Sequence, residues 1–324
     1  MLKYGLRRFA SILLFLALAA QLGAGTRAQA PAPHYRAFDS KGNAVQLQQI
    51  VAALDGADVL FVGETHQDPV AHTLEAELLR RADERFGASS AHRRPVALSL
   101  EMFERDVQTV LDEYLAGLIT ERHFLLSSRP WNNYETDYRP LVEYAREHHL
   151  PVIAANAPAR YVSRVSSQGP DSLKALPAVA VKNWLPPLPF PPASEGYAAK
   201  FNRFMQGDAG AAPQTQNPHA QAANPHGGAH LLEAQTLRDA SMAYSIAEFL
   251  KRGGHDPLVV QVNGTFHSEE RMGVPEQLAR YRPKARSVVV TIVSDDAFPD
   301  FDAARLGRLG DFVIITDPKL TPQS

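Results

Sequence analysis

Six short apolar runs punctuate the chain, at 58–62, 95–100, 151–155, 258–262, 287–293 and 312–316. They are nearly continuous in Val, Leu and Ile rather than alternating with polar residues. That pattern fits strands buried on both faces of a parallel sheet. Amphipathic segments lie between them. In 102–116, Val107, Val110, Leu111, Tyr114 and Leu115 fall at i, i+3, i+4, i+7 and i+8, and Gly117 follows as a stop signal, which predicts a helix. Asp68-Pro69 reads as an N-cap followed by proline at the first helical position, opening a helix through about Arg81. Residues 137–148 and 231–251 predict further helices. The alternation implies an α/β fold, a mostly parallel sheet flanked by helices with right-handed crossovers.

Two regions break the rhythm. Residues 160–230 read as an insert between sheet strands, a smaller and partly helical lobe. It carries a proline-rich stretch from Pro177 to Pro192, a short helix at 194–206, and a flexible loop at 207–229 rich in Gly, Ala, Gln, Asn and Pro. The first thirty residues read as an export signal. Lys3, Arg7 and Arg8 precede an apolar run of twelve residues from Phe9 to Ala20, and Ala28-Gln29-Ala30 matches the small-x-small cleavage rule. Twelve apolar residues are too few for a membrane span, which needs about 20. The expectation is therefore a signal peptide at 1–30 and a mature domain at 31–324, soluble after cleavage and periplasmic or secreted.

Composition narrows the chemistry. The chain has 324 residues, 33 Lys+Arg against 35 Asp+Glu, and no cysteine. Without residues 1–30 the balance becomes 29 against 35, or −6. A near-neutral to acidic chain argues against nucleic acid as a partner. The absence of cysteine excludes disulfides, thiolate metal sites, cysteine nucleophiles and anchoring through a lipoprotein cysteine. There is no G-x-S-x-G elbow, H-E-x-x-H, P-loop or G-x-G-x-x-G, which removes α/β-hydrolases, zincins, P-loop NTPases and standard dinucleotide enzymes.

Four of the apolar runs end in reactive residues. The run at 58–62 leads into Gly63-Glu64-Thr65-His66, that at 95–100 into Glu101, that at 151–155 into Asn156, and that at 258–262 into Asn263-Gly264-Thr265-Phe266-His267. Open parallel sheets bind ligands outside the carboxyl ends of their strands. Parallel strands would thus bring Glu64, His66, Glu101, Asn156 and His267 to one edge. Glu64, His66, Glu101 and His267 could hold a divalent metal through nitrogen and oxygen, or form an acid/base pair. The plainer alternative is that the two acids cap turns or pair with Arg105 or Arg160. His72 lies one turn into the following helix, where it either faces the same crevice or decorates the surface. His148 and His149 complement a helix C-terminus. His219, His226 and His230 fall in or beside the low-complexity loop. Trp131, Tyr134 and Tyr138, and the insert's Trp184, Phe190, Tyr197, Phe201 and Phe204, serve either as core or as an apolar wall for a flat ligand.

Six blocks, in order, resemble the ChaN family: Val62-Gly63-Glu64-Thr65-His66, Leu100-Glu101-Met102-Phe103-Glu104-Arg105, Tyr138-Arg139-Pro140-Leu141, Ala154-Ala155-Asn156-Ala157-Pro158, Arg238-Asp239-Ala240-Ser241-Met242-Ala243 and Asn263-Gly264-Thr265-Phe266-His267. They run from about residue 35 to about 295. The resemblance implies an exported haem-binding protein of iron uptake, with haem held at a homodimer interface and a haem-uptake receptor or transporter as partner. It also implies a tyrosine as iron ligand; Tyr134, Tyr138 and Tyr197 are the candidates, with His66 and His267 beside them. The wider superfamily includes the Tiki metalloproteases and erythromycin esterase-like proteins. That kinship implies the alternative of a metal-dependent hydrolase using Glu64, His66, Glu101 and His267.

Overall fold

The Val-rich runs do form the strands of one sheet. The computed structural model describes residues 34–91, 93–206, 228–252 and 256–320; the proposed signal segment, His219, His226 and most of the 207–229 loop lie outside them. Among the described residues there are eight strands: β1 (Tyr35–Asp39), β2 (Ala44–Val45), β3 (Val59–Glu64), β4 (Val96–Glu104), β5 (Val152–Asn156), β6 (Leu258–Gly264), β7 (Ser287–Ser294) and β8 (Phe312–Thr316). Their order is β2-β1-β8-β7-β3-β6-β4-β5. The six strands from β3 to β8 pair in parallel, and β1 pairs antiparallel with both β8 and β2.

Successive residues of a strand face opposite sides of the sheet, so each central strand feeds two cores. Leu60 and Val62 join Leu98, Leu100, Val260 and Val262 on one face, under Leu74, Leu78 and Leu79 of the Pro69–Phe86 helix. Val59 and Phe61 face the other way, with Ala97 and Val259, under Met242, Ile246 and Leu250 of the Leu231–Arg252 helix. The first helix starts where its sequence signals say. Asp68 Oδ1 accepts from the backbone N–H of Val70 at 2.9 Å and of Ala71 at 3.3 Å, and Pro69 opens the helix.

The predicted helix over 102–116 is shorter than its periodicity suggests. Met102, Phe103 and Glu104 continue β4, residues 105–107 form a 3₁₀ turn, and the α-helix is Gln108–Leu115. Met102 and Phe103 are buried in the core, which holds this stretch extended. β5 forms one edge of the sheet. There the Gln108 amide stands in for a ninth strand: its Nε2 donates to Val152 O at 2.8 Å and its Oε1 accepts from Ala154 N at 2.7 Å.

Within 160–230, the described residues form the helices Ala159–Gln168, Ala178–Trp184 and Glu195–Met205. Tyr161, Val162, Val165, Leu173 and Leu185 build one apolar cluster with Ala234 and Leu237 of the long helix. Among the described residues no helix is long and apolar enough to cross a membrane.

Candidate functional site

The parallel register decides where the reactive residues meet. β6 lies between β3 and β4, with Glu64 beside Gly264 and Leu100 beside Val262. Glu64, His66, Glu101, Asn156 and His267 are all buried at this carboxyl edge. Gly264 is the hinge of the arrangement. Its N–H donates to Glu101 Oε2 at 2.8 Å. A Cβ on it would stand 2.8 Å from His66 Nε2, so glycine is what lets the imidazole lie against the backbone. Asn156 Nδ2 donates to the Glu101 carbonyl at 3.1 Å, tying β5 to the same edge.

Two buried acid–imidazole groups occupy this edge. In the first, Glu64 Oε1 accepts from Tyr138 OH at 2.5 Å and lies 3.0 Å from His66 Nδ1. Glu64 Oε2 lies 3.0 Å from His72 Nδ1, which is also 3.2 Å from Glu75 Oε2. Trp131 packs edge-on against the His66 ring, with centroids 4.8 Å apart. In the second, His267 lies between two carboxylates: Nδ1 is 2.5 Å from Asp239 Oδ1 and Nε2 is 3.1 Å from Glu101 Oε1. Gln235 Nε2 is 3.1 Å from His267 Nε2, and Tyr197 OH donates to Asp239 Oδ2.

Burial and neighbouring charge set the protonation. Burial works against ionisation of every group here. Around Glu64, His72 and His66 outweigh burial and hold its carboxyl below the usual range. Burial and the Glu64 charge together push Glu75 above it, so the two carboxyls share one ionised state between them. Burial also disfavours a charged His72, but Glu75 and Glu64 raise it to about 11. His267 likewise overcomes burial through Glu101 and Asp239, reaching about 10.

Arg105 donates to Ser245 Oγ and to Asn183 O, and Arg160 pairs with Asp106. The plainer expectation that these arginines tie down Glu64 or Glu101 does not describe the edge. His148 pairs with Asp83 at 3.2 Å and stacks on Tyr144, away from the site. His230 sits 3.3 Å from Glu233. The candidate tyrosines are sealed in. Tyr134, Tyr138 and Tyr197 are each 1% exposed. Burial, reinforced by Glu64 at Tyr138 and Asp239 at Tyr197, raises both hydroxyls well above their ordinary range.

The four residues read from sequence as one metal set are split between the two groups. Among the described residues, the set whose ligand atoms all lie within 4.8 Å of one another is Glu64, His72 and Glu75. Glu75 was not in the sequence reading, and Asp239 stood there only within a family-like block, with no role given to it. Glu75 carried one usable signal: it follows His72 by three residues, so both project from one helix face beside the end of β3. Asp239 lies on the long helix, next to Arg238, whose buried guanidinium leaves Nη1 without a partner among the described residues. Beside the insert, a cavity of about 280 Å³ is lined by Leu188, Pro189, Phe190, Leu232 and Lys174, among others. None of the three tyrosines lines it.

Comparison with known proteins agrees with this architecture. Residues 50–278 match the family model described as haem-binding uptake, Tiki superfamily, ChaN. Among solved structures, one titled "Cofacial heme binding to ChaN of Campylobacter jejuni" superposes with a TM-score of 0.57 at 14% identity, over 87% of this chain and 97% of that one. An erythromycin esterase, EreC, in its open conformation aligns over 88% of this chain and 83% of its own, at 12% identity and a TM-score of 0.45. The Arabidopsis thaliana chloroplastic protein RETICULATA-RELATED 5 is 27% identical over 253 residues, which is 75% of this chain. The chain spans about a third (32%) of that relative's length. With its parallel sheet and the extent of the family match, the chain belongs to the ChaN family of haem-binding uptake proteins in the Tiki superfamily.

Proposed function

We propose that this is an exported haem-binding protein that acts in haem or iron uptake or carriage. It would work in the periplasm or outside the cell after removal of residues 1–30, as a homodimer on binding haem, and exchange haem with an uptake receptor or transporter. The observation that carries the reading is the family match over residues 50–278. It favours haem over the metal-dependent hydrolase alternative.

The residues suit the ligand in part. Haem is a flat apolar disc with two carboxylates, and needs an apolar wall, a cation and an axial ligand. Leu188, Pro189, Phe190 and Leu232 supply such a wall, and Lys174 a cation, at the cavity beside the insert. Tyr138 and Tyr197 would have to give up a hydroxyl proton now donated to a carboxylate before either could ligate ferric iron. His66 Nε2 is turned away from Glu64 but lies against the Gly264 backbone, and the ring would have to swing clear of it to ligate iron.

The test is an absorption titration with hemin, read together with sedimentation. A saturable Soret band and a shift toward dimer are expected. Binding no tighter than to a nonspecific apolar protein overturns the reading. Repeating the titration on Tyr134→Phe, Tyr138→Phe, Tyr197→Phe and His66→Gln assigns the ligand by which variant changes the ferric spectrum.

A further inference from the structure

We propose that Glu64, His72 and Glu75 form a binding site for a divalent transition-metal ion, separate from haem and from the Glu101–His267 pair. The inference starts from hydrogens. His72 Nε2 faces the His66 carbonyl at 3.1 Å and Asp137 Oδ2 at 3.4 Å. Both only accept, so Nε2 carries a hydrogen. A neutral ring then turns the Nδ1 lone pair toward Glu64 Oε2 and Glu75 Oε2, at 3.0 and 3.2 Å. Three ligand atoms converge on one point, and either protons or a cation must lie between them.

Without a metal the cluster stays neutral only by holding two protons, one on Nδ1 and one on the Glu64–Glu75 pair. A divalent ion balances two carboxylates and a neutral imidazole to zero, where His72 is 5%, Glu64 2% and Glu75 0% exposed. Uncompensated charge is costly at such burial. The other atoms agree with this. Glu64 Oε1 is saturated by Tyr138 OH and His66 Nδ1, which leaves Oε2 for the convergence point. Glu75 Oε1 is buried with no hydrogen-bond partner among the described residues, as an oxygen awaiting a cation would be. The spacing also fits. Four-coordinate ions with bonds of about 2.0–2.1 Å hold neighbouring ligand atoms about 3.3 Å apart. The Nε2 contact to a carbonyl and a carboxylate is the support that metal-bound imidazoles ordinarily have. One imidazole with two carboxylates suits zinc, manganese or ferrous iron rather than calcium or cuprous copper.

The experiment uses full-length protein that has never met hemin, stripped with EDTA and titrated with cobalt(II) chloride, then zinc chloride. We expect one cobalt per chain, a visible d–d band, displacement by zinc, and an X-ray absorption spectrum with one imidazole per ion. Glu75→Gln, which keeps the shape of the side chain, should weaken cobalt at least about tenfold. Glu101→Gln should leave cobalt binding as it is. No stoichiometric cobalt overturns the proposal, and so does a Glu75→Gln protein that binds like wild type. Equal loss in Glu101→Gln, or two imidazoles per ion, would place the metal on the strand-end set instead. The wild-type absorption spectrum decides the matter even if a variant fails to fold.

Discussion

The two acid–imidazole groups at the sheet edge share a plan and differ in how completely they are closed. Each has a buried tyrosine donating to a carboxylate that faces a histidine: Tyr138 to Glu64, and Tyr197 to Asp239. Around His267 both ring nitrogens meet carboxylates, and the Gly264 N–H takes the second Glu101 oxygen. Around His72 two carboxylates converge on one nitrogen and Glu75 Oε1 is left over. The first arrangement braces the end of β6; the second has acceptors to spare. A buried polar cluster with every atom matched rigidifies its surroundings, and one with a surplus stays open to a proton or an ion.

The comparison breaks most sharply at Asp239. Asp239→Ala leaves the His267 ring and Tyr197 hydroxyl without their shared acceptor, and should cost about 3–5 kcal/mol in denaturant unfolding. A loss below about 1 kcal/mol would mean that the His267 group is not closed. Gly264→Ala comes next. Its Cβ would meet His66 Nε2 at 2.8 Å, so the ring must shift, at about 1–3 kcal/mol, read as a lower thermal midpoint. Glu75→Gln in metal-free protein should be nearly neutral or stabilising at pH 7, because it removes a carboxyl that already resists ionising.

The pH dependence sharpens the same contrast. His267 and His72 have folded values near 10 and 11, above the ordinary 6.5. Each contributes stability that is complete below about pH 6.5 and is lost as pH climbs toward its folded value. Glu75, also raised, acts in the same direction from the ordinary carboxylate range upward. Metal-free protein should therefore lose thermal stability steadily from pH 6.5 to 10, and a flat profile would refute the charged-histidine assignment. The Glu75→Gln protein should show a shallower slope.

Much of the fold was legible because buried parallel strands announce themselves as unbroken apolar runs. The carboxyl edge was legible for the same reason: Glu64, Glu101, Asn156 and His267 each terminate or extend such a run. β1 and β2 escaped because an antiparallel edge is half exposed, and Tyr35–Asp39 mixes polar with apolar residues. The end of β4 was misplaced because Val107 to Leu115 carries true helical periodicity, and nothing local marks Met102–Glu104 as core. Glu75, and the role of Asp239, were missed because the partners that give them meaning come from elsewhere in the chain. Glu75 meets Glu64 from β3, and Asp239 meets His267 and Tyr197 only across the completed fold.

The Gln108 amide on β5 has a bearing on how this protein stays apart from its copies. An open strand border offers its backbone to any extended peptide, and in a crowded compartment that means neighbouring molecules at the same border. Here one side chain occupies the Val152 carbonyl and the Ala154 amide. Any association between chains is thereby turned away from sheet extension at these two groups and toward surfaces shaped by side chains.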